Sequence, residues 1–67
     1  MYVLQVTTGK DSSVVLGVYD NYRFMLEAAQ KFYDESLMKT NHYFYDRKVL
    51  NADATWTNEQ SAVEIKR

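Results

Sequence analysis

His42 is the only imidazole in the chain, and Asp46 follows it by four residues, so this pair is the first place to look for general acid/base chemistry. The segment around them reads as a strand. There the two side chains share a face but stand about 13 Å apart, too far for a direct bond. A transition-metal site needs a second histidine or a cysteine, and the chain has neither. Ser12 and Ser13, shortly after Gly9-Lys10, invite comparison with a phosphate loop. Such a loop places a glycine directly before the lysine-serine pair and a helix beyond it, whereas an apolar strand follows here. The segment is read as a hairpin loop with Lys10 solvated. No catalytic residue, cofactor or metal ion is expected.

The other grouping with chemical potential is the set of six tyrosines together with Arg47-Lys48, which could stack on bases and contact phosphates. On that reading Lys10, Arg47, Lys48, Lys66 and Arg67 contact phosphates while Tyr43 or Tyr45 stacks. The overall charge opposes it. The chain carries a formal −1, with three cations against five acids in residues 1–38 and five against four in residues 39–67. Counterion release from DNA needs clustered cations.

These side chains must be positioned by a single domain, residues 1–67. A domain this short buries roughly 60% of its unfolded surface, so without cysteines self-association is the accessible route to added stability. Zero cysteines fit a reducing, cytoplasmic compartment. Met1 leads directly into the first strand, with no export signal and no apolar run long enough to span a membrane.

Alternation places Tyr2, Leu4 and Val6 on one face of a first strand, and Val14, Leu16 and Val18 on the matching face of a second. Val3, Val15 and Tyr19 then point the other way. Asp20 is assigned as helix N-cap, with Tyr19 and Phe24 at hydrophobic-staple spacing. From Asn21 to Met38, residues Tyr22, Met25, Leu26, Ala29, Phe32, Tyr33 and Leu37 form one apolar stripe. Glu27, Lys31, Glu35 and Lys39 form an alternating charged row opposite it.

A third strand spans residues 42–50, where the odd set Tyr43, Tyr45 and Val49 is interrupted by Arg47 and the even set Phe44 and Leu50 by Asp46 and Lys48; the odd set is favoured inward. After the Asn51-Ala52-Asp53-Ala54 turn the end of the chain reads as an edge strand through Val63 and Ile65. Thr57 to Gln60 also fits a capping box opening a short helix. The fold class is α+β: an antiparallel sheet of three or four strands with one helix on one face, ββαβ or ββαββ. One helix covers one sheet face. Val3, Val15, Tyr19 and Phe44, joined by Trp56, are therefore expected to form an apolar patch on the other. That patch is closed by the end of the chain, by another protein or by a second copy.

Strand, strand, capped helix and aromatic strand in a short chain without cysteine or proline resembles the small early proteins of bacteriophages. The hairpin, Val18-Tyr19-Asp20-Asn21 and a helix containing Leu26-Glu27-Ala28-Ala29 are similar in layout to the T7-type inhibitors of host RNA polymerase, over about residues 2 to 50. Antitoxin-like domains that sequester small toxins share this layout. The resemblance implies a non-enzymatic inhibitor or modulator that occludes the surface of a host protein in the host cytoplasm. The contact residues expected are Val3, Val15, Tyr19, Phe44, Tyr45 and Trp56, with a host protein or a second copy as partner.

Overall fold

The computed structural model describes residues 1–9 and 11–67; the expectations for Lys10 lie outside the described residues. In chain order the elements are β1 (Tyr2–Thr7), β2 (Ser13–Tyr19), α1 (Tyr22–Glu35), β3 (Tyr43–Leu50) and β4 (Trp56–Ala62). The four strands form one antiparallel sheet in the order β2-β1-β3-β4. This is the ββαββ form of the expected α+β class.

Leu4 and Val6 of β1 meet Met25, Ala29 and Tyr33 of α1, and Tyr43 of β3 and Val63 complete the buried cluster. Met25, Ala29 and Tyr33 recur every four residues, so one narrow stripe of the helix faces the sheet. The sheet alternation holds for β1, and for β3 with Tyr43 and Tyr45 on the helix side.

In β2 the alternation breaks. Gln5 pairs with Val15 but Leu4 pairs with Gly17, so Leu16 is an extra residue, a β-bulge. Directly paired residues share a face. Beyond the bulge the parity therefore reverses: Tyr19, paired with Tyr2, lies on the helix side, and Val18, paired with Val3, lies on the open side. Both assignments differ from the uninterrupted alternation. The ring of Tyr19 folds back over Gly17, where an added Cβ would sit 2.9 Å from its hydroxyl oxygen. Glycine leaves room there for the ring to reach the core.

The helix starts one residue later than expected. Asn21, not Asp20, is the N-cap, with an extended backbone and a side-chain oxygen accepting from the amides of Arg23 (2.8 Å) and Phe24 (3.3 Å). Phe24 thereby falls at the third helical position rather than the fourth. No staple forms with Tyr19, and Phe24 is 61% exposed. The helix also ends earlier, at Glu35. Lys39, expected on the helical charged row, reaches back to donate from Nζ to the carbonyls of Tyr33 (2.7 Å) and Asp34 (3.0 Å). A cation at the negative end of the helix dipole stabilises that terminus. Leu37, assigned to the apolar stripe, lies beyond the helix and is 99% exposed.

Thr57 to Gln60 is strand, so the capping-box helix does not form. Pairing with β3 over Leu50 to Phe44 supplies ladder bonds that a short terminal helix could not match. Val63 and Ile65 belong not to an edge strand but to the segment that leaves the sheet after Ala62 and packs on the core. Gln30 holds that segment by two bonds, donating to the Lys66 carbonyl (3.0 Å) and accepting from the Lys66 amide (2.9 Å). Arg67 donates to the carbonyls of Lys39 and Asn41 and lies over the Tyr33 ring. The end of the chain therefore closes the helix side of the sheet.

The β3–β4 connection is a type I turn followed by a residue at positive φ, with Ala54 at φ 66° and bonds from the Ala54 amide to the Asn51 carbonyl and from the Asn51 amide to the Thr55 carbonyl. Asp53 accepts from the hydroxyl and the amide of Thr55, and these bonds hold its carboxyl below the ordinary range. An alanine in the left-handed region is strained by roughly 1 kcal/mol. Ala54→Gly should accordingly stabilise the fold by about 0.5 to 1 kcal/mol, read as a higher urea midpoint at unchanged slope. An unchanged or lower midpoint would show that the turn is not strained.

Candidate functional site

On the side of the sheet away from α1, β2 contributes Val15 and Val18, β1 contributes Val3, Gln5 and Thr7, β3 contributes Phe44, Asp46, Lys48 and Leu50, and β4 contributes Trp56, Asn58, Gln60 and Ala62. No part of the described chain crosses this face, because residues 63–67 turn to the other side. Val15 and Val18 are 56% and 53% exposed, and Trp56 is 65% exposed beside its cross-strand neighbour Leu50.

A chain of side-chain hydrogen bonds runs across all four strands. Ser13 donates to Gln5 (3.2 Å), Gln5 donates to one oxygen of Asp46, and Gln60 donates to the other (2.9 Å). The carboxylate is thus held by two amides and presents a fixed charge. Its near neighbour on the same face is Lys48. A shallow cleft of about 450 Å³ opens beside them, lined in part by Met1, Val3, Asp46, Lys48 and Asn58.

β3 and β4 run past the end of β1. Tyr2 pairs with Arg47, and Lys48 to Leu50 pair with β4 alone. This leaves a two-stranded arm with Leu50 and Trp56 at its end. The whole chain measures 44 × 26 × 17 Å, a thin plate with one covered face.

Four of the six expected contact residues, Val3, Val15, Phe44 and Trp56, lie on the open face, Trp56 at the tip of the arm and apart from the other three; Val3 and Phe44 are half-buried there. Tyr19 and Tyr45 do not join them. The bulge carries Tyr19 to the helix side, and Tyr45, paired with Leu4, lies on that side as well. Tyr45 instead forms a triangle with Tyr2 and Tyr22, with ring centroids 5.4 to 5.7 Å apart and edge-on or tilted rings that favour packing. Partial desolvation and then the neighbouring Tyr45 push the Tyr22 phenol above its ordinary value. Arg47 lies over the Tyr2 ring and donates to its hydroxyl (3.4 Å), a bond that favours its charged form. Sequence reasoning missed Val18 and Leu50. Leu50 was readable from its parity with Phe44; Val18 was hidden by the bulge.

His42 is exposed next to β3, and both Asp46 oxygens accept bonds from glutamine. Among the described residues no three histidines, cysteines, aspartates or glutamates gather as a metal site would require. No helix is long and apolar enough to cross a membrane. The arrangement offers apolar and aromatic contact, a carboxylate held by two amides and backbone edges. Compared with known proteins, the chain matches no family model, no curated protein and no solved structure.

Proposed function

We propose that this chain is a small non-enzymatic protein-binding module, a phage-encoded inhibitor or modulator that acts in the host cytoplasm by occluding the surface of a host protein. The observation that carries the reading is the open sheet face, on which Val15, Val18 and Trp56 stay exposed. Aromatic and aliphatic side chains on a rigid sheet are effective anchors at interfaces. The similarity of layout to phage early proteins supplies the host target.

Nucleic-acid binding gains nothing from the arrangement of cations. Arg47 faces Glu59 (3.5 Å) and Tyr2, while Lys39 and Arg67 donate to backbone carbonyls. Cations held in this way are not aligned along a groove.

The test is affinity capture from host lysate with the wild-type chain beside Val15→Asp and Val18→Asp. Both positions are exposed and should tolerate the change. A partner held by the wild type at moderate salt and lost by both variants, by roughly tenfold or more in Kd, is the expected outcome. A partner retained equally by both variants would remove the open face from the interaction.

A further inference from the structure

The open-face residues of β3 read Phe44, Asp46, Lys48, Leu50: apolar, acid, base, apolar. Those of β4, aligned beside them, read Ala62, Gln60, Asn58, Trp56. Each row complements itself when reversed. We infer that the β3–β4 half of this face packs against the same half of a second copy, sheet on sheet, about a two-fold axis lying across the strands at the level of Arg47.

Such an axis lies between the two sheets, reverses strand direction and keeps each strand over its own counterpart. Residues equidistant from Arg47 then meet. Asp46 faces the second copy's position 48, and Lys48 faces position 46, giving two symmetric ion pairs. Phe44 meets the position occupied by Leu50. On β4, where Glu59 is level with Arg47, Trp56 meets the small Ala62 position and Asn58 meets the Gln60 position. Apolar side chains fall on apolar ones, the bulkiest, Trp56, on the smallest, Ala62, and amides on amides. The projecting arm carrying Leu50 and Trp56 reaches over the body of the other copy.

Three further observations favour a second copy as occupant. First, Asp46 and Lys48 are the only charged side chains among the open-face strand positions, so the face is neutral and repels no identical face. Second, both Asp46 oxygens already accept bonds within the protomer, which lowers the cost of removing them from water. Third, the accessible surface is 5150 Å², whereas a folded monomer of 7.9 kDa exposes about 4,400 Å². The excess is close to the ~800 Å² per partner of a standard interface.

This inference rests on the same uncovered face as the proposed function and assigns its Phe44 and Trp56 to the contact between copies. Val15 and Val18 on β2 lie outside the overlap and stay free for a foreign protein.

Trp56 is the only tryptophan, so its emission reports directly on the interface. Sedimentation equilibrium and fluorescence on the full chain, across a micromolar concentration series, should give twice the 7.9 kDa mass and a blue shift of Trp56 that follows the mass. Lys48→Glu leaves two acids on the face and should weaken the dimer by roughly tenfold or more, with partial recovery at high salt. Asp46→Lys should weaken it similarly, and mixing the two variants should restore dimers, since each supplies the charge the other lacks. Where loss of the Gln5 and Gln60 bonds compromises folding of Asp46→Lys, Trp56→Ser serves in its place: the side chain is exposed, the fold should survive and association should fall. A wild-type monomer throughout the series overturns the inference. So does a dimer indifferent to both Lys48→Glu and Trp56→Ser, or one whose formation leaves Trp56 emission unmoved. Capture of a foreign protein through Val15 and Val18 is decided separately, because none of the three substitutions lies on β2.

Discussion

Leu4→Ala is expected to bring the chain close to unfolding at ambient temperature. Leu4 lies on the central part of the sheet, is 0% exposed and packs in the same cluster as Met25 and Ala29. Truncating a fully buried leucine costs about 2 to 5 kcal/mol, the transfer term plus the cavity left behind. A domain of 67 residues has only about 3 to 10 kcal/mol in total. The cost is therefore a large fraction of the whole. Urea denaturation followed by circular dichroism should show a strongly lowered midpoint or no folded baseline. Leu37→Ala is the control, since that side chain is exposed and its loss should change stability by less than about 0.5 kcal/mol. Equal effects at the two positions would place the core elsewhere.

Ending the chain at Ala62 should be nearly as damaging, and the damage should fall on the helix. Removing the last five residues takes away buried Val63, half-buried Ile65, the paired bonds between Gln30 and Lys66, and the contacts of Arg67 with Lys39, Asn41 and Tyr33. Burial of one valine contributes about 1.5 to 3 kcal/mol and each hydrogen bond about 0.5 to 1.5, less where exposed. The expected loss is about 3 kcal/mol or more. Gln30→Ala, which removes the two bonds to Lys66 and an exposed one to Asp34, should cost about 1 kcal/mol. Hydrogen exchange should show α1 opening first in the shortened chain. Emission from Trp56 in the monomer should not change, because the deleted segment lies on the opposite side of the sheet from that ring. A red shift on deletion would mean that the segment covers the open face after all, and the surface reading would lose its support.

The contrast between these two regions separates local from long-range information. β1 and the Met25, Ala29 and Tyr33 line of α1 were readable because period 2 and period 3.6 are written into consecutive residues, while Tyr22 and Phe32 of the expected stripe stay exposed. The choice of Tyr43 and Tyr45 as inward residues depended on parity alone, and the sheet agrees with it. A bulge is not a property of consecutive residues. It arises where β2 accommodates β1, and one extra residue at Leu16 exchanges the sides of Val18 and Tyr19. The same limit applies to Tyr45 as an expected contact, since its ring is fixed by Tyr2 and Tyr22 from two other elements.

Helix boundaries followed a competition of similar caps. Asp20 and Asn21 both suit an N-cap, and the structure selects Asn21, whose oxygen reaches two amides of the first turn. Residues 57–60 allow two local readings, an edge strand and a capped helix, and pairing with β3 selects the strand. Seven paired positions outweigh one cap when the alternative helix is too short to sustain itself.

By itself the amino-acid sequence determined the α+β class, the order of the first four elements, the core face of β1, and the absence of any spacing suited to a metal or a phosphate loop. Each of these depends on neighbours in the chain. Tertiary structure decided which sheet face stays open, because that depended on where residues 63–67 pack, and Gln30 and Tyr33 draw them to the helix side. It also decided that Phe44, Asp46, Lys48 and Leu50 lie beside Ala62, Gln60, Asn58 and Trp56 as two reversible rows, since strand register is set by contacts between segments far apart in the chain.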